Sequence, residues 1–465
     1  MSAVGNDASA VDTPLFDTGP ERVFARPSDL APPRTNQRYS WAEPLGWTLC
    51  GLAAVSTMVL AGLGRVSVLG AAIVVLVLAG SRPVLARFAR THHDLDLEAI
   101  LRVGLGLKLL AVLPRFELRQ DAADYHAVGT VLAERFRSLD FVVETGRPIP
   151  GTGSVRYATG LVQLVTFGDE FATFVLFALV GFVGLLCFIR AFVHGLPDID
   201  PGRYAALLVC WPSLAYWPAS TGKEALMAFG LGLAALGLAR LLRGHWRALP
   251  LLVIGLGVSA LVRPHVALIV VTAGIGAMIM NSRRGAASGV FSRLFVVGAL
   301  IGIGTFLSDA VERLFNVQDL NVSSVSAALD LAHYRSAQGG SSFVAARIDS
   351  IADAPWGVVT VLLRPFPYEA SSPAGLIAAI EGLVLAVLLF GAIPRVASAI
   401  RTLRREAYVV YVLGFVAIFV FLFSALGNFG ILTRQRTMMT PLLLVLVALP
   451  TAYERVRARR VGRSA

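Results

Sequence analysis

Two carboxylates three residues apart begin the stretch of this sequence best suited to proton transfer. Asp121 and Asp124 lie in QDAADYHAVGTVLAERFR, directly after an apolar segment, and Tyr125 and His126 follow at once. In a helix, this spacing places both carboxylates on one face. A carboxylate at a membrane interface can take the proton of an attacking hydroxyl. The same pair is also explained by the stabilising effect of acids at a helix N-terminus, so both interpretations stand at this point.

Basic residues in four later segments could hold a phosphate group. Lys223 and Glu224 lie in WPSLAYWPASTGKEALMAFG, and Lys223 is one of only two lysines in the chain, the other being Lys108. Neighbours in sequence do not pair on a helix, so Lys223 and Glu224 should have different partners. The remaining candidates are Arg263, His265, Arg364, Arg434 and Arg436. Arginine clusters suit phosphate or pyrophosphate, although an interfacial belt also explains Lys223 and a polar turn also explains Arg263.

The composition places most of this chain in a membrane. Hydrophobic residues make up 56% and charged residues 15% of the sequence, and the mean hydropathy is +0.69. Soluble domains carry about 25% charged residues. The net charge of +11 therefore indicates basic loops on one side of a membrane and not a nucleic-acid partner. The three cysteines lie in apolar runs without the spacing of a metal site or a disulfide framework.

The apolar runs predict an all-α, polytopic membrane protein with about 12 transmembrane helices, in a range of 10 to 13. The predicted spans are 45–64, 66–81, 98–114, 169–193, 204–219, 222–242, 248–262, 264–280, 290–308, 374–393, 407–425 and 437–452.

The arginine distribution predicts that both termini are cytoplasmic. Nineteen arginines lie in one set of short connections and the C-terminal tail, whereas the opposite short connections hold only Arg65, Lys223, Arg263, Arg434 and Arg436. The richer side is cytoplasmic by the positive-inside rule. We therefore expect a multi-pass protein of a bacterial-type inner membrane. A disordered cytoplasmic tail (1–44) and a basic tail (453–465) flank the transmembrane domain (45–452).

Two long connections, about 115–168 and 309–373, then lie on the extracytoplasmic side. The first contains the carboxylate pair, followed by a predicted interfacial helix at 153–168 with Arg156 and Tyr157 near its start. The second contains an amphipathic run from Phe343 to Leu363, which we interpret as an interfacial or re-entrant lid. The site would face a compartment without a nucleotide pool.

Three segments resemble the polytopic glycosyltransferases of the GT-C superfamily: DAADYH, GSVRYATGLVQLVTFGDE and WPSLAYWPASTGKEAL. The resemblance spans roughly 100–265 and is greatest to the protein-mannosyltransferase-like branch, glycosyltransferase family 39. It implies a GT-C-like fold and a polyprenyl-phosphate-linked sugar donor, with transfer on the extracytoplasmic face to a glycan or glycolipid acceptor. It also implies that an acidic residue of the first outer loop, here Asp121 or Asp124, is the base. RPFPYEA and TRQR resemble bacterial surface-polysaccharide polymerases.

Three functions remain open from the sequence. The first is a membrane glycosyltransferase in cell-envelope or surface-polysaccharide synthesis. The second is an O-antigen-polymerase-like or ligase-like enzyme that uses a lipid pyrophosphate and depends on outer arginines without an aspartate base. The third is a lipid or polysaccharide transporter, for which only Lys108 and Arg190 are midplane candidates. The two aspartates could hold a divalent cation, but they are too few ligands to assign one.

Overall fold

The computed structural model describes residues 39–89, 97–280, 297–298, 300–305, 322–337, 341–400 and 406–450. Within these ranges the chain is helical and forms no β-strand; a single antiparallel bridge joins Ser342 to Asn428. The predicted tails lie outside the described residues, apart from 39–44.

Seventeen α-helices are labelled here in chain order. The first half contains α1 (Ala42–Gly62), α2 (Val68–Ala89), α3 (Leu97–Glu117), α4 (Gln120–Arg137), α5 (Thr152–Thr166), α6 (Glu170–Gly195), α7 (Gly202–Cys210), α8 (Pro212–Tyr216) and α9 (Lys223–Leu242). The second half contains α10 (Leu249–Val262), α11 (Pro264–Met280), α12 (Val322–Ser336), α13 (Ala354–Leu363), α14 (Pro373–Ile400), α15 (Ala407–Phe423), α16 (Phe429–Arg436) and α17 (Thr440–Ala448).

Five of the described helices are long and apolar enough to cross a membrane: α1, α2, α6, α9 and α14. Shorter apolar helices occupy Trp246–Val262, Pro264–Met280, Ile351–Leu363 and Ala407–Phe423. The helical class of the prediction is thus confirmed, and the chain has the helices of a membrane protein. The count of 12 spans stays a prediction, and part of the predicted span 290–308 lies outside the described residues.

Three predicted segments differ from the structure. The span 204–219 is broken into α7 and α8 at Trp211, because Pro212 lacks the N–H group that a continuous helix needs. In the span 437–452, which the structure describes as far as residue 450, the helix α17 has nine residues, a length of about 14 Å. The amphipathic run from Phe343 is helical only from Ile351 onward, and its first part has no regular secondary structure.

The core is built around α6 and α9, which are mostly buried, whereas α1, α2 and α14 expose most of their apolar surface. Small residues allow α6 and α9 to approach closely: a side chain added at Gly184 or Gly232 would meet the backbone of the opposite helix. Close contact through small residues is typical of helices packed in membranes.

The helix ends form two groups at opposite ends of the bundle. At one end the Ser67 hydroxyl donates to the carboxylate of Asp169, 2.8 Å away, which joins the start of α2 to the start of α6. At the other end Arg190 of α6 donates to the backbone carbonyl of Phe88 in α2, also at 2.8 Å. The first end, called the site end below, also carries α4, α5 and the beginning of α9.

Candidate functional site

An ion-pair network joins three distant helices at the site end. The Arg434 guanidinium of α16 contacts both carboxylate oxygens of Glu224, with Nε–Oε1 at 2.6 Å and Nη2–Oε2 at 3.0 Å. Its third nitrogen, Nη1, lies 2.9 Å from Oδ2 of Asp121 in α4. Arg434 therefore connects α4 to α9, and Glu224 is buried in the middle of the network with 2% of its side chain exposed. We call Asp121, Lys223, Glu224, Arg263 and Arg434 the site cluster.

Arg263 approaches the same carboxylate from the turn between α10 and α11. Its Nη2 lies 3.4 Å from Oε1 of Glu224, and its Nη1 donates to the side-chain oxygen of Gln435. The turn forms because α10 ends at Val262 and Pro264 begins α11, as the sequence predicts. Two consecutive residues of α16 thus contact the Glu224–Arg263 pair: Arg434 contacts Glu224, and Gln435 accepts a hydrogen bond from Arg263.

Lys223 and Glu224 have different partners, as expected. The Lys223 ammonium donates to the Thr152 hydroxyl at the start of α5, 3.0 Å away, and lies within electrostatic range of Arg263, Arg434 and both acids of the site cluster. The site cluster thus combines two carboxylates with three cations and has a formal surplus of one positive charge. Gly222, the N-cap of α9, provides no side-chain acceptor for the first amides of this helix. A helix N-terminus adds further positive potential.

Asp124 is held by a separate arginine. Arg156 of α5 contacts its two oxygens, with Nη2–Oδ1 at 2.8 Å and Nε–Oδ2 at 3.2 Å, and also donates to the carbonyl of Thr145 at 2.8 Å. Both aspartates belong to α4 and both are about half exposed, at 56% for Asp121 and 52% for Asp124. The two carboxylates therefore have different arginine partners, although their spacing is that of one helical face.

Tyr125 packs beside the site cluster as a neutral phenol. It is buried, and its ring lies near Gly222. Burial, reinforced by the negative charge of Asp121, raises the pKa of Tyr125 to about 12. A phenol with this pKa is protonated near neutral pH and can donate a hydrogen bond, but it is not a base.

Three other predicted site residues have contacts with residues outside the site cluster. The His126 ring lies 2.8 Å from the amide nitrogen of Gln163, where it joins α4 to α5. The Tyr157 hydroxyl donates to the Phe141 carbonyl at 3.3 Å. The ring of His265 lies 6.1 Å from the ring of Phe423 in α15.

Arg364 and Arg436 form a second basic group and do not join the site cluster. Arg364 makes a two-pronged contact with Glu369, with Nε 3.0 Å from Oε1, and stacks over the rings of Phe343 and Phe429 at 4.4 and 5.1 Å. Arg436 is buried and donates to the backbone carbonyl of Arg364. In the structure these two arginines therefore contact Glu369 and a backbone carbonyl and not the site cluster, and their predicted part in phosphate binding stays a prediction.

Two residues near the site cluster, Arg115 and Gln435, were not predicted from the sequence. Arg115 of α3 donates to the Ser220 hydroxyl at 2.9 Å and lies over the Trp217 ring at 5.2 Å, while Arg434 lies over the same ring at 5.9 Å. The signal for Arg115 was present, since it is a further arginine at the end of a predicted span on the side where arginine is disfavoured. Nothing in the sequence marked Gln435.

The geometry is suited to an anionic ligand and to proton transfer. Guanidinium groups that point at one place bind phosphate oxygens through paired hydrogen bonds, and a half-exposed carboxylate beside them can accept a proton. Among the residues that the structure describes, no group of three or more His, Cys, Asp or Glu could hold a metal ion. No protein-family model, no curated protein and no solved structure matches this chain.

Proposed function

We propose that this protein is a membrane glycosyltransferase that moves a sugar from a polyprenyl-phosphate-linked donor to an acceptor hydroxyl. The observation that carries the proposal is the convergence of Asp121, Glu224, Arg263 and Arg434 from four segments at one end of the helix bundle. A lipid-linked donor fits a basic site at the ends of apolar helices, since its hydrocarbon stays in the bilayer and its phosphate reaches the helix ends. The arginine distribution in the sequence predicts that this end is extracytoplasmic.

In this proposal Arg434 and Arg263 hold the donor phosphate. The acceptor oxygen attacks the anomeric carbon, the bond from that carbon to the phosphate oxygen breaks, and the polyprenyl phosphate leaves with the electron pair. The guanidinium groups stabilise the negative charge that develops on the leaving phosphate. Glu224 fixes the orientation of both arginines because it is buried between them.

Asp121 is the proposed base, because its carboxylate lies at the phosphate-binding arginine and is exposed enough to meet an acceptor. It takes the proton of the attacking hydroxyl. The Asp124 carboxylate is held by Arg156, which suits orientation of the α4–α5 pair and of substrate hydroxyls. The acceptor in this proposal is a glycan or glycolipid of the cell envelope.

A second candidate is a polymerase-like or ligase-like enzyme with a lipid pyrophosphate donor. It is favoured by one observation: Asp121 already serves as an ion-pair partner of Arg434 and is not a free carboxylate. In that enzyme the arginines would perform the main task, and loss of Asp121 would be tolerated. A transporter ranks third because Lys108 donates to the carbonyls of Leu214 and Ala215 and Arg190 to that of Phe88, so both are engaged in helix contacts.

The proposal is tested with purified protein and a panel of short-chain polyprenyl-phosphate-linked hexoses and pentoses. Loss of a general base lowers turnover by about 10²- to 10⁴-fold, which is the result expected for Asp121→Asn. Asp124→Asn should lose less. Asp140→Asn is the matched control. Asp140 lies just beyond α4 and pairs with Arg135 in the last turn of that helix, and both side chains are exposed. If Asp121→Asn keeps near-normal transfer, Asp121 is not the base and the polymerase-like candidate takes its place.

A further inference from the structure

Arg434 is shared unequally by its two carboxylates. The Glu224 contact uses two nitrogens and both carboxylate oxygens, and only 2% of the Glu224 side chain is exposed. The Asp121 contact is a single one at 2.9 Å, and 56% of that side chain is exposed. A buried two-pronged pair is costly to break because one charge would remain without a partner. An exposed single contact is weak, because water replaces it.

A phosphate oxygen that reaches Arg434 competes with these carboxylates for the same N–H groups. Displacement of Glu224 would leave a buried anion without its main partner, whereas the displaced Asp121 carboxylate turns to water. Arg263 lies 3.4 Å from the same Glu224 oxygen and adds a second cation for the arriving anion. The weaker contact should therefore be the one that opens.

We infer that binding of the donor phosphate displaces Asp121 from Arg434 and thereby releases the base. The inference rests on the proposed function, since it takes the anion to be the phosphate of the donor. One hydrogen bond, from Nη1 of Arg434 to Oδ2 of Asp121, is exchanged for one from the same nitrogen to phosphate. Asp121 then accepts the acceptor's proton in the transfer step. Before the donor binds, the guanidinium occupies Oδ2 of Asp121, and the displacement frees this oxygen for the acceptor's proton.

Asp124 provides a matched control on the same helix. Its exposure of 52% is close to that of Asp121, and it is also paired with an arginine. Its partner Arg156, however, bonds to the carbonyl of Thr145 and contacts no carboxylate of the site cluster in the structure as described. Removal of either charge changes the net charge by the same amount, and of the two aspartates it is Asp121 that contacts Arg434.

The test measures binding of farnesyl monophosphate to the full-length protein in lipid nanodiscs by calorimetry. Farnesol serves as the neutral ligand that corrects for partition into the bilayer. Asp121→Asn should bind farnesyl monophosphate about two- to five-fold more tightly than wild type, because the amide offers Arg434 only a neutral contact in place of the exposed charged one. Asp124→Asn should stay within about two-fold of wild type by the same reasoning, and Arg434→Gln should bind more weakly than wild type.

Equal or weaker binding by Asp121→Asn would overturn the displacement, and so would an equal gain in Asp124→Asn. Asp121→Ser, which also lacks the charge, repeats the measurement with a different side chain if the asparagine variant is unstable. Failure of the wild-type protein to bind farnesyl monophosphate above farnesol would instead overturn the proposed function. The two failures are therefore distinguishable.

Discussion

Replacement of Glu224 by glutamine should destabilise the protein strongly. The Glu224 carboxylate is 2% exposed and receives three guanidinium contacts, at 2.6, 3.0 and 3.4 Å. Glu224→Gln leaves Arg263 and Arg434 without this negative partner. Loss of one member of a buried ion pair costs about 3–5 kcal/mol. Since 26% of the Arg434 side chain and 11% of the Arg263 side chain are exposed, water compensates in part. We therefore expect a loss at the lower end, about 3 kcal/mol.

The assay compares unfolding of purified variants in a denaturing detergent, followed by intrinsic fluorescence. Glu117→Gln is the control: its pair with Arg65 is exposed on both sides, at 53% and 62%, and should contribute under about 1 kcal/mol. Arg434→Gln combined with Glu224→Gln should cost less than the sum of the single changes, because both remove the same interaction. A loss of unfolding free energy in Glu224→Gln no larger than in Glu117→Gln would show that the buried ion pair does not stabilise the fold. Strictly additive losses in the double variant would show that Glu224 and Arg434 are not coupled.

Two further predictions concern topology and protonation. Ser342→Cys, made in a chain without its three native cysteines, should react with an impermeant thiol reagent added outside intact cells. The reason is that the arginine distribution predicts an extracytoplasmic position for this loop. Reaction only after permeabilisation would show the opposite orientation. The raised pKa of about 12 keeps the Tyr125 phenol neutral. Tyr125→Phe should therefore leave the shape of the pH–rate profile unchanged between about pH 6 and 10. Disappearance of an alkaline limb in this variant would contradict the neutral state of Tyr125.

The local features of the site were predictable from the sequence because they depend on near neighbours. The spacing of Asp121 and Asp124 suited a shared helix, and α4 contains both. The adjacency of Lys223 and Glu224 predicted separate partners, as observed. Pro264 predicted the break between two apolar helices and the polar turn that carries Arg263.

The pairing of charges across the fold was not predictable, because it depends on contacts between residues far apart in the chain. Arg434 and Asp121 are 313 positions apart. The sequence could place their segments at one end of the bundle. It could not distinguish Arg434, which contacts Glu224 and Asp121, from Arg436 two positions later, which contacts a backbone carbonyl.

Hydropathy also gave no sign that the apolar run 204–219 would break at Trp211. There Glu381 accepts hydrogen bonds from the Trp211 indole and from Ser213.

The central claim is that the cations of the site cluster bind the phosphate of a lipid-linked sugar. The most direct measurement is an experimental structure of the protein with farnesyl phosphate or a farnesyl-phosphate-linked sugar bound. Phosphate oxygens should lie within hydrogen-bond distance of Arg434 and Arg263, with Glu224 still in contact with Arg434 and the hydrocarbon chain directed toward the apolar helices. A phosphate bound at another surface, with the contacts among Asp121, Glu224 and Arg434 unchanged, would contradict it.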